Sequence, residues 1–216
     1  MTLHAARISF VLAALMVAWM GWQWRTRWRK PHHAAWAIGF AFYAAGTFIE
    51  AFLDWSPASL RAYYWVAAYM TAAALGQGSA YIHLSRRRAH QLAVLLAVAG
   101  AGALAACIAA PLDAAVPMPA RGEIEMSMFP RWLRSGTMAF NLYGLALLAG
   151  GAALSMRHYR KQEGGTRRVW ANLLILVGVL VIGAAGAATK AGATQILLFA
   201  ELAGLVLLAA GVWVAG

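Results

Sequence analysis

The chain contains little charge and a single cysteine. Charged residues make up 12% of its 216 residues and hydrophobic residues 62%, whereas a soluble domain is about one quarter charged and half apolar. This composition excludes a water-soluble globular protein, a disordered tail and a nucleic-acid-binding domain. The one cysteine, Cys107, excludes a disulfide framework or a Cys-rich metal site within one chain.

Strand-like alternation of apolar and polar residues is also missing, and long apolar runs are present instead. A helix that crosses a hydrocarbon core about 30 Å thick needs roughly 20 mostly apolar residues. Seven stretches satisfy or nearly satisfy this length: 8–24, 34–53, 63–84, 92–112, 135–156, 169–189 and 191–216. We therefore expect an all-α integral membrane protein in which residues 1–216 form one domain, a bundle of seven transmembrane helices.

The Lys and Arg residues are concentrated in alternate connections. Twelve of the 18 lie in the connections that follow the first, third and fifth apolar stretches, where Glu163 is the only acid. The positive-inside rule places these connections in the cytoplasm, the N-terminus outside and the C-terminus inside. The location we expect is a bacterial-type inner (plasma) membrane, with anionic lipid headgroups as partners of the basic inner face.

Two further features concern the arrangement of the helices. The stretch from Trp28 to Trp36 resembles the stretch from Tyr159 to Trp170, which suggests a possible repeat of three helices on either side of the fourth. The outer connection 113–134 combines three prolines with apolar residues. It is a candidate lid or short interfacial helix, or a segment that simply packs over the outer face.

Two acids, Glu50 and Glu201, lie within the apolar stretches. Glu50 precedes Asp54 by one helical turn, about 6 Å, and Glu201 lies about 13 Å into the last stretch. A charge inside a membrane is costly to retain and commonly functional. We therefore predict an outward-facing polar pocket that binds a ligand; its residues are Glu50, Glu201, Arg61, Asn141, Tyr64 and Lys190.

A purely structural role for the same acids is the alternative. Glu50 could form an ion pair with Arg61, and Glu201 could be kept protonated by Asn141 or a tyrosine. Two sets of residues are expected to form packing seams between helices. One is Gly178, Gly183 and Gly186, and a looser one is Gly204, Leu208 and Gly211.

Enzyme motifs are not found. Five of the six histidines gather at the inner boundary, and no H-E-x-x-H motif or pair of intramembrane aspartates is present. Ser79 follows Gly78 but has no histidine placed as its base. We expect neither catalysis nor a cofactor nor a bound metal.

The topology resembles that of microbial rhodopsins, whose third helix carries an Arg followed four residues later by a Trp, as Arg61 and Trp65 do here. The resemblance implies that Glu201 occupies the position of the seventh-helix carboxylate. The family's retinal-binding lysine is replaced by Leu205, and its carboxylate before the Trp is replaced by Tyr64. A rhodopsin-like scaffold with another ligand is therefore the expectation, rather than a light-driven pump. The SWEET sugar transporters are similar in length and layout, but their helix prolines are missing here.

The function we expect is the binding, and most plausibly the transport, of a small solute, a proton or a lipid-like ligand. The alternative is a seven-helix sensor or accessory membrane subunit that acts through a cytoplasmic or membrane partner protein. No soluble output domain is present in the 216 residues, which suits a subunit better than a sensor acting alone.

Overall fold

A computed structural model describes residues 2–26, 29–121, 123, 127–190 and 197–215, with the side chains of all of these except 2, 187–190, 197, 198 and 215. All regular structure in these ranges is helical. The helices are α1 (Thr2–Thr26), α2 (Pro31–Phe52), α3 (Pro57–Tyr63), a π-helix (Tyr64–Met70), α4 (Thr71–His83), α5 (Arg86–Ala109), α6 (Arg131–Tyr159), α7 (Thr166–Lys190) and α8 (Leu197–Ala215).

The three short elements α3, the π-helix and α4 follow one another without a break and are called the third rod here. It spans residues 57–83, a length of about 40 Å at the α-helical rise. Counted in this way, the described ranges contain seven helical rods. Each of the seven predicted apolar stretches overlaps one of them, with residues 191–196 and 216 of the last stretch outside the described residues, so the all-helical prediction is confirmed.

Among the residues that the structure describes, five helices are long and apolar enough to cross a membrane: Leu3–Thr26, Pro31–Phe52, Arg86–Ala109, Arg131–Tyr159 and Thr166–Gly186. Helix α5 exposes large apolar side chains: Val94, Leu95 and Val98 are 63%, 64% and 68% exposed. An apolar face of this kind is stable against lipid rather than water. The chain is therefore a membrane-embedded helical protein, while the seven-span count, the orientation and the repeat stay predictions.

The chain divides into two compact units, Met1–Gly144 and Leu145–Gly216. In the first unit α2 packs on α1, on the π-helix and on α4. Its contacts with the third rod show that the two helical elements run in opposite directions. Gly46 approaches Ala67, and Gly39, two turns earlier in α2, approaches Leu75, two turns later in the rod. The two elements are therefore antiparallel neighbours.

Helix α4 and the first half of α6 cross at two glycines. A Cβ atom added to Gly76 would lie 2.8 Å from the Cα atom of Gly144, and one added to Gly144 would clash with the Ala72 carbonyl. Small residues allow this approach where no hydrophobic force drives helices together. The crossing fixes the start of α6 against the third rod.

The second unit contains a close pair of helices, α7 and α8. Gly178 contacts the Gly204 carbonyl, and Gly211, two turns further along α8, contacts the Ala171 carbonyl. Arg167 Nε donates a hydrogen bond of 2.9 Å to the Val214 carbonyl at the end of the pair. The predicted seams at Gly178, Gly204 and Gly211 are confirmed, whereas Gly183 faces the Leu145 side chain rather than α8, and a Cβ added to Gly186 would meet no described atom within 4 Å.

The connection between α5 and α6 contains no helix in its described residues, so the short interfacial helix that we considered for 113–134 is not found there. The described part of this connection is held against the turn between α2 and α3. Arg121 forms an ion pair of 2.5 Å with Asp54, and Trp55 Nε1 donates to the Ala120 carbonyl at 3.1 Å. Phe129 is 1% exposed and enters the core of the first unit.

Replacing Gly144 by Ala should destabilise the first unit by about 1–3 kcal/mol, because the new methyl group overlaps backbone atoms that cannot rotate away. The control is Gly102→Ala on α5, where an added Cβ meets no described atom within 4 Å. That variant should be neutral or slightly stabilising. Thermal unfolding in detergent measures both, and equal melting temperatures would contradict the close crossing.

Candidate functional site

The π-helix lies in the middle of the third rod, between two α-helical segments. Segments of this kind are rare and frequently occur at functional sites. Long side chains tether it to its neighbours: Trp65 Nε1 donates to the Gly100 carbonyl of α5 at 2.9 Å, and the Tyr69 hydroxyl donates to the Leu133 carbonyl of α6 at 2.5 Å. Thr71 Oγ1 donates to the Val66 carbonyl at 2.8 Å. Side chains thus support a backbone that does not follow the usual helical pattern.

Asn141 is one of these supports. Its Nδ2 donates to the Ala68 carbonyl within the π-helix, at 3.2 Å. Hydrocarbon provides no water that could donate to this carbonyl. The Asn141 amide supplies a donor from a neighbouring helix instead. The structure therefore places this predicted site residue against the backbone of the third rod.

Tyr64 is the first residue of the π-helix and is 3% exposed. Its ring stacks on Phe129, with 4.2 Å between centroids and 23° between planes, and meets Tyr69 edge-on at 5.8 Å. Its hydroxyl lies within interaction range of Thr137 and of the Arg134 guanidinium. Tyr64 is thus part of an aromatic core with a polar margin.

Arg61 lies on α3, one turn before Trp65. Its Nη2 donates a hydrogen bond of 2.8 Å to the carbonyl of Ala110, the residue that caps the C-terminal end of α5. A cation is favourable there because the helix dipole leaves partial negative charge at that end. Its Nε is buried and has no hydrogen-bond partner among the described residues, so one donor remains available.

Glu50 is 1% exposed and is among the largest fully buried side chains. It lies on the packed face of α2, one turn beyond Gly46. Since α2 and the third rod are antiparallel and Gly46 is level with Ala67, one turn further along α2 is one turn earlier in the rod. Glu50 therefore lies level with Tyr63 and Tyr64, where the π-helix begins.

Glu201 belongs to the second unit and lies on α8, one turn before Gly204. Its side chain is partly exposed. Lys190 is the last residue of α7, and its side chain lies outside the described residues. The chamber that we predict between Glu50 and Glu201 would join two separate units, so it stays a prediction.

The structure also shows a polar junction whose role the sequence left open. Gln77 on α4 is 5% exposed; its Nε2 donates to the Ala89 carbonyl of α5 at 2.8 Å, and its Oε1 accepts from the Tyr143 hydroxyl of α6. Gln77 therefore joins three helices. The adjacent Gly76 and Gly78 admit Gly144 and the Trp36 ring, respectively, so both glycines allow close packing.

In the described ranges, no group of three His, Cys, Asp or Glu side chains is placed to hold a metal ion. Comparison of the chain with protein-family models, with curated proteins and with solved structures found no match. The geometry above is therefore the basis for any statement about function.

Replacing Asn141 by Leu should destabilise the protein by about 0.6 kcal/mol, the average for a side-chain hydrogen bond between helices in a membrane, and by at most about 1.7 kcal/mol. The Ala68 carbonyl would lose its donor, so amide exchange should accelerate across the π-helix. Asn172→Leu is the matched control, because Asn172 bonds within its own helix, to the Arg168 carbonyl. Hydrogen exchange measured by mass spectrometry compares the two. Equal protection of residues 64–71 in both variants would refute the tether.

Proposed function

We propose that this chain is a multi-pass protein of a bacterial-type inner membrane that binds a small solute, a proton or a lipid-like ligand from outside and transports it. The observation that carries the proposal is the burial of Glu50, 1% exposed in a helix long and apolar enough to span a membrane. An acid within a membrane costs up to about 2.5–3.5 kcal/mol, the value at the centre of a spanning helix, and Glu50 lies two residues before the end of α2. A residue with that cost and no use would be readily replaced by an apolar one.

The surroundings of Glu50 support a binding role. It lies level with the first turn of the π-helix, where the backbone already departs from the regular pattern. The buried Nε of Arg61 could donate a hydrogen bond to a carboxylate or to an anionic group of the ligand. In the proposed site Glu50 and Glu201 carry the proton or cation, while Arg61, Tyr64, Asn141 and Lys190 complete the polar wall.

Replacing Glu50 by Gln should reduce transport to the level of empty vesicles, because the amide keeps the shape but neither carries charge nor accepts a proton. Purified protein in liposomes is assayed with a trapped pH-sensitive dye for protons and with ethidium for a cationic amphiphile. Asp54→Asn is the matched control: this acid is one turn away but exposed, and pairs with Arg121. Loss of flux in both variants, or in neither, would contradict the assignment.

Glu201 is tested separately, because it lies in the other unit. Glu201→Gln should also abolish flux while leaving the thermal unfolding of the protein unchanged. If Glu50→Gln is inactive and Glu201→Gln is fully active, the two acids do not share a chamber, and the route belongs to the first unit alone.

A second candidate function is a sensor or accessory subunit on a rhodopsin-like scaffold. One observation favours it: Arg61 and Asn141 already bond to backbone carbonyls, and Tyr64 is enclosed by aromatic rings. Side chains engaged in this way can serve stability alone. A partner that purifies with the protein from native membranes in a fixed ratio would favour the subunit, and flux by the protein alone would favour the transporter.

The membrane partner that we propose is anionic lipid. The end of α1, the α1–α2 connection and the start of α5 are basic and are called the basic end of the first unit here; its described cations are Arg25, Arg29, Lys30, Arg86, Arg87 and Arg88. In the proposed orientation this end faces the cytoplasm, where the leaflet is negatively charged.

A further inference from the structure

The basic end of the first unit contains a surface pocket of about 250 Å³. It is lined by Arg29, Lys30, Pro31, Tyr81 and Arg86. These residues come from three elements: the end of the α1–α2 connection with the first residue of α2, the last turns of α4, and the first residue of α5. Three cations therefore converge on one cavity although 56 positions separate Lys30 from Arg86 in the sequence.

No acid lies close in sequence to the residues that line this pocket. The sequence has no Asp or Glu between residues 1 and 49 or between 55 and 112. The nearest acid along α2 is Glu50, 19 residues from Pro31, or about 28 Å along the helix. Beyond a Debye length of about 8 Å in physiological salt, an acid at that distance does not compensate the three cations.

Two helix N-termini reinforce the positive potential. Pro31 begins α2, and the preceding residue, Lys30, provides no side-chain cap for the first turn. Arg86 begins α5. The N-terminus of a helix carries partial positive charge and presents backbone N–H groups to anions. These termini add to a pocket that the cations already define.

The backbone at Arg29 is held in an unusual conformation. Its φ is +47°, in the left-handed region that residues with a side chain rarely adopt. Its guanidinium lies 5.7 Å from the centre of the Trp24 ring, a cation–π distance. A conformation with this cost persists where surrounding contacts fix it, and such residues cluster at ligand sites.

We propose that this pocket binds a phosphoryl group. A guanidinium donates two parallel N–H bonds to phosphate oxygens, and the lysine adds a point charge. The volume is below the 300–1,000 Å³ typical of sites for drug-sized molecules, which suits one phosphate rather than a large ligand. The source is either a lipid headgroup or a free phosphate. The site goes beyond the diffuse lipid contact proposed above, because it assigns the ligand to particular side chains and does not depend on transport.

The test compares Arg86→Gln with Arg87→Gln in the full-length chain in detergent at about 0.15 M salt. Both variants remove one exposed positive charge from the start of α5, but only Arg86 lines the pocket. The probes are short-chain phosphatidic acid and inorganic phosphate, with binding measured by titration calorimetry. Thermal unfolding of the two variants checks that both are folded.

We expect Arg86→Gln to weaken phosphatidic acid binding about tenfold or more, the effect of one charge-assisted hydrogen-bonding pair, and Arg87→Gln to leave it within about twofold. If inorganic phosphate also binds and competes, with the same dependence on Arg86, the pocket takes a free phosphoryl group. If only the lipid binds, the source is a headgroup. Either result supports the site.

Two results would overturn it. If both variants weaken the lipid equally, the attraction is a general property of the basic end, and the pocket is rejected while the diffuse lipid contact stands. If the unaltered protein binds neither probe, the pocket is rejected and so is the proposed lipid partner. Neither result bears on flux through Glu50.

Discussion

The structure of the first unit depends on hydrogen bonds between side chains and the backbone of the third rod. In hydrocarbon an unsatisfied carbonyl costs several kcal/mol, so donors from within the protein are valuable there. The Val66 carbonyl accepts from both the backbone N–H and the hydroxyl of Thr71, and the Ala68 carbonyl accepts from Asn141 on α6. Trp65 and Tyr69 extend outward from the same segment and bond to carbonyls of α5 and α6. The irregular turn is therefore where three rods are joined.

Small residues complement these bonds. Glycines at 76 and 144 bring α4 and α6 into backbone contact, and glycines at 178, 204 and 211 do the same for α7 and α8. Lipid tails are as apolar as the side chains, so close packing and hydrogen bonds, rather than the exclusion of water, hold such helices together. This accounts for a protein whose large apolar side chains on α5 face outward while Ala and Gly lie inside.

The sequence predicted the helices well because the length of an apolar run is set by the thickness of the bilayer. It did not predict the π-helix, since Tyr64–Met70 reads as ordinary helix and its cause is contacts from other rods. It placed Arg61 beside Glu50 as a possible pair, whereas the Arg61 Nη2 bonds to the end of α5. It did not predict the pocket near Arg29 either, because its residues are distant in sequence. Burial of Glu50 could be predicted, but its relation to Glu201 could not.

The position of Phe129 has a consequence for how the protein is made. This side chain closes the core around Tyr64, yet it follows Tyr64 by 65 residues and is synthesised only after α5 is complete. Until then the nascent bundle holds a set of aromatic rings with an open side. The core of the first unit is therefore complete only when the segment before α6 has been synthesised and has reached the membrane. A chain that ends after α5 would expose these aromatic rings.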